Sequence, residues 1–316
     1  MGNRVSKSDL PSAIFIMGPT ASGKTKLAVQ LAKHLDTEII SVDSVLVYKG
    51  MDIGTAKPTL EERQGIPHHL IDILDPSEIF STGSFRKITL QLMEDISRRG
   101  KIPVLVGGTM LYFNSLFNGL ASLPEANPEI RKKLDDELLA IGKEAMHARL
   151  KSIDPESALR IHPNDPQRVQ RALEVYELSG KPMTRFFYEA RQQQIPYKKI
   201  KLIIAPEGRI QLHEKIAQRF KFMIEQGLIE EVKALYQRAD LTESLPAIRA
   251  VGYRQAWSYL QGEYDLDTMI EKAIIATRQL AKRQFTWLRR ENDVLRFQSY
   301  EADLYDKVVQ SIENCL

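Results

Sequence analysis

IFIMGPTASGKT, residues Ile14 to Thr25, decides the fold. The apolar run Ala13 to Met17 reads as a buried parallel strand, Gly18-x-x-x-x-Gly23-Lys24-Thr25 has the spacing of a phosphate-binding loop, and Lys26 to Leu35 carries a helical pattern. Strand, loop and helix arrive in the order such a loop requires. Its two glycines let the backbone curl, so that successive N–H groups face an anion at the positive end of the helix dipole. Lys24 adds a mobile cation for a terminal phosphate, and Thr25 offers a hydroxyl to a Mg²⁺ bridging two phosphates. The expected ligand therefore carries a pyrophosphate, bound by Gly18, Pro19, Thr20, Ala21, Ser22, Gly23, Lys24 and Thr25, with Mg²⁺ as cofactor and Thr25 as its protein ligand. The alternative is a glycine-rich turn without a ligand. Kinases, other ATP-binding NTPases and some transferases share this loop, so the loop by itself names no reaction.

With 316 residues, 43% hydrophobic and 27% charged, the chain has the composition of a soluble globular protein of one large or two smaller domains. No apolar run approaches the ~18 residues of a membrane span. The polar start MGNRVSKSDLPS lacks the apolar centre of a secretory signal, and a cytoplasmic protein with no membrane partner is expected. A single cysteine, Cys315, permits neither an internal disulfide nor a cysteine-based zinc site. The net charge of +3 is too small to establish an RNA partner. Basic residues do cluster at Arg278, Lys282, Arg283, Arg289 and Arg290, as an ordinary solvated face or as a nucleic-acid footprint.

Outward from the loop, Thr37 to Val42 reads as a second buried strand ending at Asp43. A carboxylate there lies on the edge where open α/β sheets bind ligands, which makes Asp43 a reactive candidate, with metal ligation or strand-end capping as alternatives. Ser44 to Pro58 reads as an ordered surface segment whose Lys57 is a further candidate for holding a diphosphate. His68 and His69 are adjacent, so their side chains point apart and structural hydrogen bonding is favoured over a shared metal. Ser84 to Arg99 is an amphipathic helix, Ile102 to Val106 a third buried strand, and Thr109 caps the helix Met110 to Phe117 at the same sheet edge. From about Pro124 to Gln194 the pattern turns to charged helices with breaks at Asp154-Pro155, His162-Pro163 and Gly180-Lys181-Pro182; one of them places Arg168 and Arg171 on a shared face. Lys198 to Ala205 returns to a strand. Helices follow over Arg209 to Arg238, Leu245 to Leu260 and Asp267 to Arg289, then a strand near Val294 to Phe297 and a last helix. This order predicts an α/β fold, a parallel sheet of the P-loop NTPase kind flanked by helices, with an inserted all-helical subdomain and a helical C-terminal part. The core is expected over residues 1–120 and 196–316 and the insertion over 121–195.

Seven segments together are more specific than the loop: GPTASGKT, SVDSVLVYKGMDIGTAKP, GIPHHLID, GGTMLY, NDPQRVQRALEV, IRAVGYRQ and RQLAKRQFTWLRR, spread from Gly18 to Arg290. In that order they resemble the bacterial tRNA dimethylallyltransferases (tRNA isopentenyltransferases). One departure is Gly83-Ser84-Phe85, where the family often has Ala-Asp-Phe. The resemblance implies transfer of a dimethylallyl group from dimethylallyl diphosphate to N6 of the adenosine immediately 3′ of the anticodon (position 37 of the tRNA), releasing diphosphate. Adenine's exocyclic amine is a poor nucleophile, so a base must take its proton, and Asp43 is the candidate. The loop amides, Lys24 and Mg²⁺ then stabilise a leaving group rather than a transferred phosphoryl group. Thr109 is implied to contact the target nucleotide or the diphosphate. Residues implied to meet the tRNA anticodon stem-loop are Asp43, Ser44, Val45, Leu46, Thr109, Gln167, Arg168, Val169, Gln170, Arg171, Arg249, Gly252, Tyr253, Arg254, Lys282, Arg283, Gln284 and Arg289. The helical insertion is expected to contact the anticodon region, and the protein to be a monomer. Phe285 and Trp287 either stack on bases or belong to the core. The rival readings are a P-loop small-molecule kinase, an adenylate isopentenyltransferase acting on free AMP or ATP, and a nucleotide-dependent switch or RNA-binding module without covalent chemistry.

Overall fold

A computed structural model describes residues 10–316; most of the polar start of the chain, residues 1–9, lies outside the described residues. Six strands, β1 (Ser12–Met17), β2 (Ile39–Val42), β3 (His68–His69), β4 (Val104–Gly107), β5 (Lys198–Ala205) and β6 (Leu295–Gln298), form one sheet in the order β3-β2-β4-β1-β5-β6. Every pairing is parallel. A parallel sheet is covered on both faces, so its central strands are rich in apolar residues, and Ala13 to Met17 of β1 are fully buried. One face is covered by α1 (Lys24–His34) and α13 (Leu304–Glu313): Leu27, Leu31, Val308 and Ile312 pack with Ile14, Ile16, Val104, Leu202 and Ile204. On the other face Phe15 meets Phe113 of α4 (Met110–Asn118) edge to face.

Between β2 and β4 lie a short helix, α2 (Leu60–Arg63), and, after β3, a long one, α3 (Thr82–Arg98). After β5 come α9 (Arg209–Glu225), α10 (Leu228–Tyr236), α11 (Tyr253–Leu260) and α12 (Leu266–Leu288). Here the structure corrects the sequence reading. The helix expected over residues 209–238 is two, because Gly227 takes φ 97°, a left-handed conformation outside a right-handed helix. The helix expected from Leu245 begins at Tyr253, after Gly252 at φ 93°. Strand β3 was not foreseen: two residues carry no periodicity.

The chain divides into two compact units, residues 1–113 with 196–316, and residues 114–195; the first break falls inside α4, against the expected 121. The second unit is helical throughout: α5 (Pro128–Ile153), α6 (Pro155–Arg160), α7 (Pro166–Ser179) and α8 (Met183–Ala190). Three of these open on proline behind a capping residue. Asn127, Asp154 and Asp165 accept first-turn N–H groups, and proline supplies a preset φ where no donor is missed. Leu134, Leu150, Leu173 and Val175 form its core, and α5 is interrupted at Gly142.

Candidate functional site

Three groups converge at the C-terminal edge of adjacent strands. The phosphate loop follows β1, Asp43 follows β2, and Gly107-Gly108-Thr109 follows β4, which lies between those two strands. A cavity of about 180 Å³ opens there, with Lys24, Thr25, Asp43 and Arg219 in its wall. Val45, Leu46, Ile71, Phe220, Met223 and Leu280 give it an apolar side.

The loop's donors divide into pinned and available. Pro19 has no N–H. The Thr20 N–H donates to Gln284 Oε1 (2.9 Å), and the Ser22 N–H to the Pro19 carbonyl (3.4 Å). Gly23, at φ 80°, heads α1 without a side-chain cap, so the first-turn N–H groups at Lys24 and Thr25 keep no partner within the helix. The N–H groups of Lys24 and Thr25 at the mouth of α1 are thus placed as an anion cradle would require. Lys24 Nζ rests on the Pro19 carbonyl (3.0 Å). Burial lowers the Lys24 pKa to about 8, the charge of Asp43 opposing the shift and that of Arg219 adding to it.

Asp43 sits within an Asx-type turn: the N–H groups of Val45 (2.9 Å) and Leu46 (3.4 Å) donate to its Oδ1. Burial pushes its pKa up, and these two donors with Lys24 only partly offset that. A carboxylate so placed is more basic than one in water. Thr109 brackets it. The Thr109 N–H donates to the Val42 carbonyl (3.2 Å) and its hydroxyl accepts from the Ser44 N–H (3.2 Å), so it holds both neighbours of Asp43 while standing outside the cavity wall. A Cβ at Gly108 would lie 2.4 Å from Gln284 Nε2, so a larger residue there would displace the side chain that holds Thr20.

The family model described as IPP transferase matches residues 46–291. The chain belongs to the IPP transferase family. It is 55% identical over 308 residues to the tRNA dimethylallyltransferase of Methylococcus capsulatus, across 98% of this chain and 99% of that one. Among solved structures it is similar to the tRNA isopentenylpyrophosphate transferase of Bacillus halodurans, with TM-score 0.70 and 40% identity over 96% and 95% of the two chains. It is also similar to a eukaryotic dimethylallyltransferase acting on tRNA, with TM-score 0.78 and 30% identity over 96% of this chain and 79% of the other.

Within this IPP transferase family member, the residues expected to meet RNA fall into two groups. Gln167, Arg168, Arg249, Arg254, Lys282, Arg283 and Arg289 are exposed. None of Arg249, Arg254, Lys282, Arg283 and Arg289 has an acidic partner among the described residues, so their charge is unneutralised. Others are committed to the protein. Gln284 is 7% exposed, and besides holding Thr20 it donates to the Gly108 carbonyl (2.9 Å), so it shapes the loop instead of reaching outward. Tyr253 is fully buried and its hydroxyl donates to Glu231; Gly252 beneath it is buried too. In the second unit Val169 belongs to the core, Gln170 donates to Asp135 (2.6 Å), and Arg171 donates to the wholly buried Glu174 (2.6 Å).

Other candidates are also redistributed. Lys57, read as a possible diphosphate ligand, is 8% exposed and donates to the Tyr48 carbonyl (2.8 Å) and to Asp52 and Asp72. His69 bonds Glu38 (2.8 Å), which Arg99 also engages, a structural contact; His68 bonds the Ile66 carbonyl (2.8 Å) through Nδ1 but also lines the cavity, where its buried Nε2 has no partner among the described residues. Phe285 is half-buried against Ala21, Leu212, Ile216 and Ala281, a core contact beside the loop. Sequence reading missed Arg219. In the middle of α9 it looks like any solvated arginine, and only the fold turns it into the cavity beside Lys24.

Proposed function

We propose that the protein transfers the dimethylallyl group of dimethylallyl diphosphate to N6 of the adenosine immediately 3′ of the anticodon in tRNA. The observation that carries this reading is the juxtaposition of Asp43, a carboxylate with a raised pKa, with Lys24 and Thr25 at the mouth of α1 in one cavity. A base beside such a loop would also suit phosphoryl transfer to a hydroxyl; membership of the IPP transferase family favours prenyl transfer. The α1 amides, Lys24 and Arg219 take up charge as diphosphate departs, so the allylic C–O bond breaks while the N6–carbon bond forms. Asp43 accepts the proton that N6 loses. Thr109 keeps Asp43 in place through its two neighbours. The apolar wall suits a five-carbon branched tail.

Among the described residues no cluster of three or more His, Cys, Asp or Glu could hold a metal. That donor set fits Mg²⁺ bound chiefly by the diphosphate and water, with the Thr25 hydroxyl as the protein ligand, because Mg²⁺ keeps several waters. When bound, it would neutralise charge on the departing diphosphate.

The target base must leave the anticodon-loop stack to reach the cavity, which costs a few kcal/mol and least in a single-stranded loop. Arg249, Arg254, Lys282, Arg283 and Arg289 would hold the flanking phosphates, with Gln167 and Arg168 of the helical unit as further contacts. We take the working form to be a cytoplasmic monomer. The test offers dimethylallyl diphosphate with either unmodified tRNA or free AMP. Prenylated tRNA and unchanged AMP are expected. Prenylated AMP, or release of ADP from ATP with a small alcohol and no RNA, would replace this reading.

A further inference from the structure

The tip of the phosphate loop is gripped by two side chains from far along the chain. Gln284 accepts the Thr20 N–H from one side (2.9 Å). From the other, the Tyr300 hydroxyl donates to the Ala21 carbonyl in a short hydrogen bond. Ala21 needs such a grip. Its φ is 63°, left-handed for a residue with a side chain, a conformation that persists only where surroundings impose it. The carbonyl of Ala21 and the N–H of Ser22 belong to one peptide plane. With the oxygen on Tyr300 and the N–H on Pro19, that plane is fixed at both ends. Were it to turn, a carbonyl dipole could face the anion that the neighbouring amides attract.

Tyr300 is itself positioned at a cost. The Ser299 N–H donates to the Ala205 carbonyl (3.1 Å), carrying the β5–β6 pairing one residue past β6, and Tyr300 then takes φ 68°. That turn brings its ring to the loop. Burial raises the pKa of its hydroxyl, which stays a proton donor at neutral pH, and the charge of Arg219 is felt at the same ring. Tyr300 lies beyond the last sequence motif, which ends at Arg290.

We infer that Tyr300 is a positioning residue for diphosphate: by holding the Ala21 carbonyl it keeps the loop in the anion-accepting form. The inference rests on the loop being the diphosphate site. The competing explanation is that the bond merely fastens the C-terminal segment to the core. The substitution Tyr300→Phe removes the hydroxyl and keeps the ring. Binding of inorganic diphosphate with Mg²⁺ is measured by calorimetry, tRNA binding by gel shift, and stability by thermal melting. Loss of one net hydrogen bond should weaken diphosphate binding about three- to tenfold. KM for dimethylallyl diphosphate should rise to match, with kcat at saturation, tRNA affinity and melting temperature little changed. Equal diphosphate affinity in the two proteins overturns the inference. So does a fall in melting temperature with diphosphate and tRNA affinity weakened alike, which is what a fastening role gives. A wild-type protein that binds no diphosphate would sink the reading of the loop itself, and the inference with it.

Discussion

Asp43 and Lys24 occupy one cavity and their ionisations pull in opposite directions. Burial lowers the Lys24 pKa to about 8, so its cationic form is complete below that pH and is lost as pH rises through it. The affinity for a non-reactive prenyl diphosphate analogue is therefore predicted to be highest below pH 8 and to fall above it, and titration calorimetry across pH should show that limb vanish in Lys24→Ala. A limb that persists in the variant would assign the effect to another group. Asp43 sets the opposite limit. Its raised pKa means that proton acceptance fails on acidification at a higher pH than for an ordinary carboxylate. Arg219 shows what single residues hide: nothing in IAQRFKF distinguishes it from any other solvated arginine, and although it stays exposed it lines the cavity.

At the scale of elements, one carboxylate organises the segment after β2. The Glu231 side chain, in the first turn of α10, accepts N–H groups of Asp52 (2.8 Å), Ile53 (2.8 Å) and Gly54 (3.1 Å) and the hydroxyl of Tyr253. Glu231→Gln turns part of that acceptor into a donor facing donors, and a loss of about 2–4 kcal/mol is predicted. Urea unfolding would measure it; a change below about 0.5 kcal/mol would mean that the segment holds itself. The inner strands were legible because burial on both faces demands apolar runs, as in Ala13 to Met17 and Leu202 to Ala205. The loop was legible because its glycine and lysine spacing falls between an apolar strand and a helical pattern. Breaks at Gly227 and Gly252 were not, since a glycine inside a helical pattern can be tolerated and only tertiary context fixes its φ. The same context moved Gln284, Tyr253 and Val169 from an expected RNA surface into the interior.

The whole molecule carries a net charge of only +3, so RNA recognition depends on where cations stand unpaired. Arg283, exposed and without an acidic partner among the described residues, tests that: Arg283→Ala should weaken tRNA binding and reduce the slope of log affinity against log salt by roughly 0.7 to 0.9. An unchanged slope would remove Arg283 from the interface. The central proposition concerns chemistry: the loop lets diphosphate leave carbon while Asp43 relieves N6 of its proton. The most direct measurement is a single-turnover assay of Asp43→Asn, with an unmodified anticodon stem-loop and dimethylallyl diphosphate, read by RNA mass and run beside binding assays for each substrate. The account predicts that wild-type enzyme adds one dimethylallyl group, while the variant binds both substrates and transfers at least roughly a hundredfold more slowly. Transfer by the variant at the wild-type rate would contradict it.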